Sequence, residues 1–391
     1  MRLGPSGSYE TIEQINLAEG TAVASISREV EDNCWDKFLQ ETPLGQFQQS
    51  TIWARAKATE GWRVVRLVLT LDKETVGGFQ ILWRPSWRGR IAYVSKGPVL
   101  LPGHPGLAQE ATELLRRLAR RERFTVLVVQ PPDLCKQFSA TLAAGGFELN
   151  ALGGVNETTW IIDLREGFAA VVRGMSTETR RRARLAENRG LKIREGGRED
   201  IQTFFDLMLL TCRRQRVMPN PSNIQTFIAL WDAARPAGQI RLTFAEWEGK
   251  PLAGELDICF GQTVTSWKKG WSSSEAQRFP NDLLVYKSLE WAAASGFQCF
   301  DFVAFDRAMA LAILNAKSLT PEQLKSRYIF IARMGGIPLL LPETRLYFSS
   351  RIFRLSYRML FKQKIRQAEE NCRVRGAPKA SETIERGAKQ L

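Results

Sequence analysis

The sequence contains a single histidine, His104, which lies in the turn-rich stretch LPGHPG. Catalysis by a Ser-His-Asp or Cys-His arrangement needs at least one well-placed imidazole, and so does a histidine-based zinc site. A histidine flanked by glycine and proline is typical of an exposed loop. The sequence therefore argues against those classes of enzyme and of metal site, and it predicts neither a bound metal nor a cofactor.

Paired cysteines and long apolar runs are also missing. The six cysteines are scattered singly, too far apart in sequence for a metal knuckle or a redox CxxC, which is typical of reduced thiols in a cytoplasmic protein. The first stretch, MRLGPSGSYETIEQ, has no apolar signal core, and no apolar run reaches the length of about 18 residues that a membrane-spanning helix needs. We therefore expect a cytoplasmic protein whose contact with a membrane, if it has one, is peripheral at its inner face.

Positive charge is present in excess. Lysine and arginine number 55 against 41 acids, which gives a net charge of +14. Such an excess favours binding to phosphates, nucleic acid or an anionic membrane surface, although a basic protein without such a partner is the alternative. The composition of 44% hydrophobic and 25% charged residues permits packed cores, and 391 residues suggest two or three globular units.

One series of elements is predicted twice. In the first half, three strands (WRVVRLVLTL, TVGGFQILWR, RIAYVSKGPVLL) precede a helix, AQEATELLRRLARRER, and a buried strand, FTVLVVQPP. In the second half, RLTFAEWE, PLAGELDICF and TVTSWKKGWSS precede the helix NDLLVYKSLEWAAASG and the strand FQCFDFVAF. The second strand of each series contains a small residue followed by glycine, at Gly77-Gly78 and Ala253-Gly254, which indicates a bulge or a close backbone approach. The sequence therefore predicts two copies of one α/β unit.

Three antiparallel strands that lead through a helix to a parallel strand form the mixed sheet of the GNAT acyltransferase fold. We predict an α/β (α+β) protein with GNAT-like domains at residues 33–160 and 161–340. Residues 1–32 are expected to form a loose polar lead-in. Residues 341–391 are expected to form a basic amphipathic helix and a disordered tail.

The stretches GQFQQSTIWARAKATEGW, GGFQIL and YVSKGPVL resemble the N-terminal half of the FemABX aminoacyltransferases. The stretches MSTETRRRARLAENRGLKIREG, PLAGEL, NDLLVYKSLEWA and FQCFDF resemble the second half of that family, so the resemblance covers residues 33–340. It implies two GNAT-like domains with a groove at their interface, and a divergent member of the family. It also implies transfer of an amino acid from aminoacyl-tRNA to an amine of a peptidoglycan precursor, lipid-linked or nucleotide-linked, by a monomer.

Individual residues are carried over by this resemblance. It implies that Lys57 contacts precursor phosphates and that Arg214 binds substrate, with Arg213 or Arg216 as alternatives for that place. Asp301 and Phe302 match an Asp-Phe pair of the family at the end of a central strand. An ordinary solvated helix charge is the alternative role for Lys57 and for Arg214.

The sequence departs from the family at two places. Val303-Ala304 stands where the family has Gly-Gly, and Ile331 stands where it has a lysine, for which Arg333 is a possible replacement near the tRNA acceptor end. These departures keep two other functions open. One is an acyl-CoA-dependent N-acyltransferase acting on an envelope or polysaccharide substrate, although neither half has the Q/R-x-x-G-x-G/A loop that grips CoA. The other is a non-catalytic protein of the same fold that binds RNA or an envelope partner.

Aminoacyl transfer requires oriented reactants and a stabilised oxyanion, but no strong side-chain nucleophile. The acids nearest the relevant strand ends are Asp301, Asp257 and Glu255, and we predict Asp301 as the proton acceptor. Backbone N–H groups at Gly78 or Gly254 are candidates for binding the oxyanion, with a purely structural bulge as the alternative. Only the second copy has acids directly after its glycine, so we assign proton transfer to the second half and precursor binding to the first.

Two segments concentrate positive charge. Arg180, Arg181, Arg182 and Arg184 crowd one predicted helix, where acids, water or phosphates must screen their repulsion, and we predict that Arg180 and Arg181 contact tRNA or phosphate. In LYFSSRIFRLSYRMLFKQKIRQ a basic residue recurs every three or four positions, at Arg351, Arg354, Arg358, Lys362 and Arg366. Such a helix is suited to an anionic membrane or to tRNA, and the alternative is a helix docked on the protein with its charges in water.

Overall fold

The computed structural model describes residues 8–375, which form two compact units. Unit 1 takes the described residues up to Glu157 together with those from Leu341 onwards, and unit 2 is Thr158–Leu340. The predicted disordered tail from residue 376 lies outside the described residues. Elements are numbered along the whole chain, so the last strand and the last two helices of unit 1 carry high numbers.

Unit 1 is built around one mixed sheet. Its strands within the described residues are β1 (Glu10–Leu17), β2 (Gly20–Ser27), β3 (Arg63–Leu71), β4 (Glu74–Ser86), β5 (Gly89–Ser95), β6 (Val99–Leu100), β7 (Phe124–Gln130), β8 (Glu148–Leu149) and β16 (Arg345–Phe348). Its helices are α1 (Asn33–Glu41), α2 (Thr51–Ala58), α3 (Leu107–Arg121), α4 (Lys136–Ala144), α13 (Arg351–Leu360) and α14 (Lys362–Arg375). The strand order is β1-β2-β3-β4-β5-β7-β16-β8, and β6 pairs with β4.

Unit 2 repeats this plan. Its strands are β9 (Thr158–Asp163), β10 (Lys192–Glu195), β11 (Ile240–Trp247), β12 (Lys250–Phe260), β13 (Thr263–Trp271), β14 (Cys299–Asp301) and β15 (Ile337–Leu340). Its helices are α5 (Phe168–Gly174), α6 (Thr177–Asn188), α7 (Ile201–Gln215), α8 (Ile224–Ala234), α9 (Pro280–Ala294), α10 (Arg307–Leu314), α11 (Pro321–Leu324) and α12 (Tyr328–Ala332). The strand order is β10-β11-β12-β13-β14-β9-β15.

Each sheet changes from antiparallel to parallel at the same step. β3, β4 and β5 pair antiparallel and β5 pairs parallel with β7, while β11, β12 and β13 pair antiparallel and β13 pairs parallel with β14. The connection across each parallel pair contains a helix, α3 in unit 1 and α9 in unit 2. The predicted duplication and the α/β fold class are confirmed.

The glycine of each second strand explains the repeated sequence pattern. Next to it the register shifts by one residue, at Val76 in β4 and at Leu252 in β12, so the predicted bulge is present in both copies. A Cβ atom at Gly78 would lie 3.0 Å from the Trp35 ring of α1, and one at Gly254 would lie 3.1 Å from the Phe204 ring of α7. In each unit, glycine therefore lets a helix, α1 or α7, place an aromatic ring directly on the sheet.

Substitution of these glycines is expected to have unequal effects. Gly78→Ala places a Cβ 2.3 Å from the Leu67 carbonyl oxygen, a backbone atom, whereas Gly254→Ala meets only ring atoms at 3.1 Å. We expect Gly78→Ala to lower the free energy of unfolding by about 2 kcal/mol and Gly254→Ala by about 1 kcal/mol or less. Urea unfolding of the two variants tests this order, and equal losses would contradict the close approach at Gly78.

The prediction of a loose lead-in at residues 1–32 is wrong for residues 10–27. β1 and β2 form a hairpin, and β2 pairs along β3. The reason is that Ala22, Ala24 and Ile26 alternate into the core, where small side chains suffice because the neighbouring strand supplies the bulk. Glutamate and glutamine on the outer strand hide this alternation, and such polar residues suit an exposed sheet edge.

The C-terminal basic segment docks on the protein, as in the alternative drawn from the sequence, but two charges of its basic stripe pair with an acid. It consists of two helices that meet at Phe361, and it docks on unit 1 through Tyr357, whose hydroxyl donates to the Leu149 carbonyl. Arg354 and Arg358 both pair with Glu148. These two arginines thus face the protein, because a buried tyrosine and a shared carboxylate fix that side of the helix. Within the described residues, no helix has both the length and the apolarity that crossing a membrane requires.

Candidate active site

The sheet of unit 2 opens beside its parallel strand pair. β13 pairs with β14 only from Thr263 to Thr265, opposite Cys299 to Asp301, although β13 continues to Trp271. The pairing of β13 with β12 also shifts register at Trp267. A bulge bends a strand and increases its twist, so β13 diverges from β14 beyond Asp301. We refer to the end of β14 at Asp301, together with the part of β13 from Ser266 to Trp271 that does not pair with β14, as the open edge of unit 2.

Asp301 lies at the open edge and is half-buried. Its Oδ1 accepts hydrogen bonds from the Thr159 hydroxyl and from the backbone N–H of Val303, the latter at 2.7 Å. These bonds hold the turn after β14, in which Val303 adopts a φ of +69° that a β-branched residue rarely takes. The Gly-Gly that the family has here would relax this turn. Asp301 therefore holds the backbone of the turn at the open edge.

Glu255 on β12 is fully buried and receives three polar partners. The hydroxyls of Ser266 and Ser288 donate to its two oxygens at 2.5 and 2.8 Å, and the ammonium group of Lys269 lies 3.1 Å away. Lys269 is partly exposed and lies over the ring of Phe302, 4.6 Å from its centroid. The buried carboxylate thus orients a lysine toward the open edge, directly beside the residue that follows Asp301.

Asp257, two residues further along β12, is equally buried, and neither of its oxygens has a hydrogen-bond partner among the described residues. Burial raises the pKa of Asp257 well above its usual range, and the neighbouring charge of Glu255 raises it further, while Arg241 and Lys269 act in the opposite direction. An unpaired buried carboxyl prefers the neutral form. The surroundings of Asp257 therefore favour its neutral form more than those of an exposed aspartate do.

Sequence reasoning named both acids of β12 but missed Lys269, Ser288 and Arg241. The available signal was the position of two acids within an otherwise apolar strand, since buried charges need partners on adjacent elements. Lys269 is directly opposite Glu255 in the antiparallel register, a pairing that becomes visible once the β12–β13 alignment is known. The motif KKGW alone does not show which of its lysines faces Glu255.

The predicted arginines at the end of α7 differ in their surroundings. Arg214 stacks on Trp271, 4.6 Å from the ring centroid, and donates to the Trp271 carbonyl at 3.3 Å. Arg213 is exposed on the same turn. Trp271 ends β13, so the structure brings Arg214 to the same strand segment as Lys269. Neither arginine forms an ion pair with an acid within the described residues, and both remain available to an anionic ligand.

Lys57 lies on α2 in unit 1. Its ammonium group pairs with Glu60 at 2.6 Å and lies 5.4 Å from the centroid of the Trp53 ring. Phosphate binding at Lys57 would therefore compete with Glu60.

His104, predicted to be exposed, is partly covered instead, because its Nδ1 lies 2.6 Å from a carboxylate oxygen of Glu19.

Part of the positive charge on α6 is balanced by an acid on the same helix. Glu178 accepts two hydrogen bonds from Arg181 and one from Arg182, all at 2.8 Å, and these lower the pKa of Glu178 to about 2. Among the described residues, the Arg180 side chain donates to the Thr177 hydroxyl. Arg333 is exposed, and its carbonyl accepts from the N–H of Ser176 just before α6. The segment that contains Arg333 thus contacts the start of α6, where Arg180 lies. The charge of Arg181 is largely balanced by Glu178.

Asp282 lies in the first turn of α9 and was not predicted as a site residue. The charges of Arg182, Arg333 and Glu178 all influence its carboxyl group. Burial raises the pKa of Asp282 from 3.8 to about 6, while Arg182 and Arg333 oppose the rise. Because the folded protein holds this proton more tightly than the unfolded chain, stability falls as pH rises from about 4 to about 6 and stays reduced above that window.

The expected consequence is a pH-dependent effect of Asp282→Asn. At about pH 7.5 the variant should be more stable than the parent by up to about 3 kcal/mol, because two pKa units correspond to that free energy. At about pH 2.5, well below both pKa values, the aspartate is protonated in both states, so the difference should nearly vanish. Urea unfolding at the two pH values measures this, and a gain that is the same at both would show that the charge of Asp282 is not its cause.

Comparison with known proteins agrees with this architecture. Residues 30–144 match the FemAB family model, and residues 173–308 match an acetyltransferase (GNAT) domain. A lipid II:glycine glycyltransferase of Staphylococcus saprophyticus is 26% identical over 239 residues, and that of Staphylococcus aureus strain MRSA252 is 23% identical over 257 residues. These alignments cover 58% and 62% of the chain and 57% and 61% of the relatives, so the chain spans less than two thirds of their length.

A solved structure of FemX superimposes on 82% of the chain and 97% of its own length, with a TM-score of 0.69 and 18% sequence identity. At that identity the match shows the fold. Together with the two family models, it confirms the resemblance drawn from the sequence motifs.

Proposed function

Because the chain resembles FemABX enzymes in both halves and has the fold of FemX, we propose that it is an aminoacyltransferase. It would form an amide between an amino acid, donated by aminoacyl-tRNA, and an amine of a peptidoglycan precursor. The observation that carries the proposal is the sequence similarity to lipid II:glycine glycyltransferases, which suggests both the reaction class and a precursor substrate. The side chains at the open edge of unit 2 include an acid and a lysine, which are the kinds of group that this reaction uses.

The proposed reaction exchanges an ester for an amide. The acceptor nitrogen attacks the carbonyl carbon of the aminoacyl ester and a tetrahedral oxyanion forms. The C–O bond to the tRNA ribose then breaks as the C–N bond is completed. The nitrogen loses a proton, and the departing ribose oxygen gains one. The protein must therefore supply a proton acceptor, a positive group for the oxyanion and a surface that orients both substrates.

Asp301 is the best placed of the three predicted acids to accept the proton. It lies at the open edge and is only half-buried, whereas Glu255 and Asp257 are fully buried and cannot contact a substrate in this conformation. A general base must come within hydrogen-bond reach of the group that it deprotonates. Asp301 therefore keeps the role predicted for it, and the two buried acids are assigned to positioning.

Lys269 is the proposed oxyanion-stabilising group. Its ammonium carries a full positive charge on a strand that borders the open edge, and the buried Glu255 holds it in one direction. A preoriented cation requires little reorganisation when negative charge develops, which is what electrostatic stabilisation of a transition state requires. Glu255 acts on the reaction only through Lys269.

The cations outside this edge are proposed to hold phosphates. Arg214, oriented by Trp271, and the adjacent Arg213 are suited to the precursor, while Arg180 and Arg333 are suited to the tRNA end. Lys57 remains a candidate for precursor phosphates, with Glu60 as its competitor. Arg181 is the weakest of the predicted contacts, because Glu178 already engages its guanidinium twice.

The start of α9 supports a tRNA donor over acyl-CoA. An acyltransferase that uses CoA binds the pyrophosphate at a helix N-terminus, where backbone N–H groups and the helix dipole favour negative charge. In α9 the first residue is Pro280, which has no N–H, and Asp282 adds an acid with a pKa of about 6 to the first turn. At neutral pH this end of the helix is therefore unfavourable for a pyrophosphate.

The test supplies purified protein with pools of charged tRNA or with acyl-CoA esters, each with lipid-linked and with nucleotide-linked muropeptides. Mass spectrometry of the muropeptides is expected to show addition of one aminoacyl residue with charged tRNA and no addition with acyl-CoA. Uncharged tRNA is the matched control. Product formation with acyl-CoA alone would overturn the donor assignment, and no product with any donor would favour the non-catalytic alternative.

A further inference from the structure

The outward side of α13 is apolar. Successive residues of a helix are separated by about 100°, so Leu355, Met359, Ile352, Leu360 and Phe353 share one broad arc. All five are exposed, with Leu360 at 78% and Ile352 at 76%. A surface helix normally has the opposite arrangement, with its apolar side against the protein. In α13 that inner side is occupied by Tyr357 and by the two arginines that pair with Glu148.

A second exposed apolar group lies at the same end of the strands as the start of α13. Trp87, at the tip of the β4–β5 hairpin, is 86% exposed and is stacked with Arg88, whose guanidinium lies 4.0 Å from its centroid. The hairpin is attached to the start of β7 by the Thr125 hydroxyl, which donates to the Arg88 carbonyl at 3.1 Å.

The start of α13 is attached at the same place. The Ser349 hydroxyl donates to the carbonyl of Phe124, the residue before Thr125, at 2.6 Å, and α13 begins two residues later. Strands in a sheet are spaced by about 4.8 Å, so the Trp87 hairpin and the helix start are separated by roughly two strand spacings. We refer to Trp87, Arg88 and the outward arc of α13 as the apolar edge of unit 1.

Basic residues surround the apolar edge. Arg351 precedes the outward arc, and Lys362, Lys364 and Arg366 follow it on α14, all of them exposed. None of these four, nor Arg88, forms an ion pair with an acid whose side chain the structure describes. Aliphatic residues, a tryptophan and unpaired cations together match the boundary between the hydrocarbon and the anionic headgroups of a membrane.

We propose that the apolar edge of unit 1 docks on an anionic lipid surface, with the outward arc of α13 and Trp87 entering the headgroup region. The basic border favours this occupant over a second copy of the chain, since two surfaces of equal positive charge repel each other. It also favours lipid over RNA, because five aliphatic and aromatic side chains of the helix contribute nothing to phosphate binding. The inference goes beyond the proposed acyl transfer and does not depend on it.

Vesicle co-sedimentation of the full chain tests the proposal, with vesicles that contain no peptidoglycan precursor. Wild type is expected to bind an equimolar mixture of phosphatidylcholine and phosphatidylglycerol, and to bind phosphatidylcholine alone at least about tenfold more weakly. The double variant Leu355→Asp/Met359→Asp should lose at least about tenfold in partitioning to the anionic vesicles. Trp87→Ala should also partition less to the anionic vesicles than wild type, by a smaller but measurable factor.

Met218→Asp is the matched control, because Met218 is also 86% exposed but belongs to unit 2, and this variant should bind as wild type does. The milder pair Leu355→Ala/Met359→Ala covers the case in which the aspartates disturb folding, and it should also reduce binding. Unchanged binding of both double variants would overturn the proposal. So would a wild-type dimer that the aspartate pair converts to monomer, or binding to transfer RNA without binding to anionic vesicles.

Discussion

Replacing Lys269 with methionine is expected to lower the rate of aminoacyl transfer by at least about 100-fold, the effect typical of removing one group that stabilises an oxyanion. The same change should lower the free energy of unfolding by about 2–3 kcal/mol, because it leaves the buried Glu255 carboxylate without its cation. Steady-state kinetics with charged tRNA and urea unfolding of the same preparation measure the two effects.

The double variant Glu255→Gln/Lys269→Met separates the two effects. A neutral glutamine still forms hydrogen bonds with Ser266 and Ser288, so most of the lost stability should return. Transfer should stay low, because the positive charge is still missing. Lys268→Met is the matched control from the adjacent position, with an expected change in rate of less than about threefold. Recovery of transfer in the double variant would show that Lys269 only balances a buried charge.

Arg66→Met is expected to destabilise unit 1 by about 3–5 kcal/mol, the usual cost of removing one partner of a buried ion pair. The Arg66 side chain is fully buried and donates to the Val30 carbonyl at 3.0 Å and to the Gln80 side chain at 2.8 Å, while Asp32 lies 3.6 Å away. Asp32 in turn accepts from the N–H of Trp35 at the start of α1. Losing Arg66 would leave the buried Asp32 carboxylate without its cation at the point where this helix meets the sheet, with the Trp35 N–H and the Tyr9 hydroxyl still donating to it.

The control for this prediction is Arg63→Met on the same strand. Arg63 is exposed and stacks on Trp83, so we expect a loss of about 1 kcal/mol or less. Unfolding in urea, followed by tryptophan fluorescence, should show an earlier transition for the Arg66 variant. Comparable losses for the two variants would mean that the buried network contributes little to the stability of unit 1.

The duplicated architecture could be predicted because each copy has a local signal that chance seldom repeats. The small-residue pairs at Gly77-Gly78 and Ala253-Gly254 coincide with bulges in both second strands. Crossover helices such as α3 can also be predicted from the sequence, because their apolar residues recur at helical spacing. Local sequence is informative here because bulges and amphipathic helices have short-range causes.

Elements that depend on distant partners could not be predicted. β16 completes the sheet of unit 1 by pairing with β7, which lies more than 200 residues earlier in the sequence. The same limit explains the orientation of α13, since its basic stripe indicates a solvated side until Glu148 is known to face it. Strand pairing and buried charge pairing are long-range contacts, and one segment does not determine them.

The candidate site shows the same division. Glu255, Asp257 and Asp301 could be selected from the sequence because acids within or directly after apolar strands are unusual. Their separate surroundings could not: Glu255 has three partners, whereas the carboxyl oxygens of Asp257 have none among the described residues. The register of β12 against β13 decides this difference, and with it the importance of Lys269.

The most direct test of the proposed reaction is a single-turnover label transfer. Transfer RNA charged with a radiolabelled amino acid is mixed with excess protein and a lipid-linked precursor, and the product is treated with mild alkali, which cleaves the aminoacyl ester but not an amide. We predict that the label moves to the precursor and survives the alkali. Label that is only released as free amino acid, while acyl-CoA acylates the same precursor, would contradict the account.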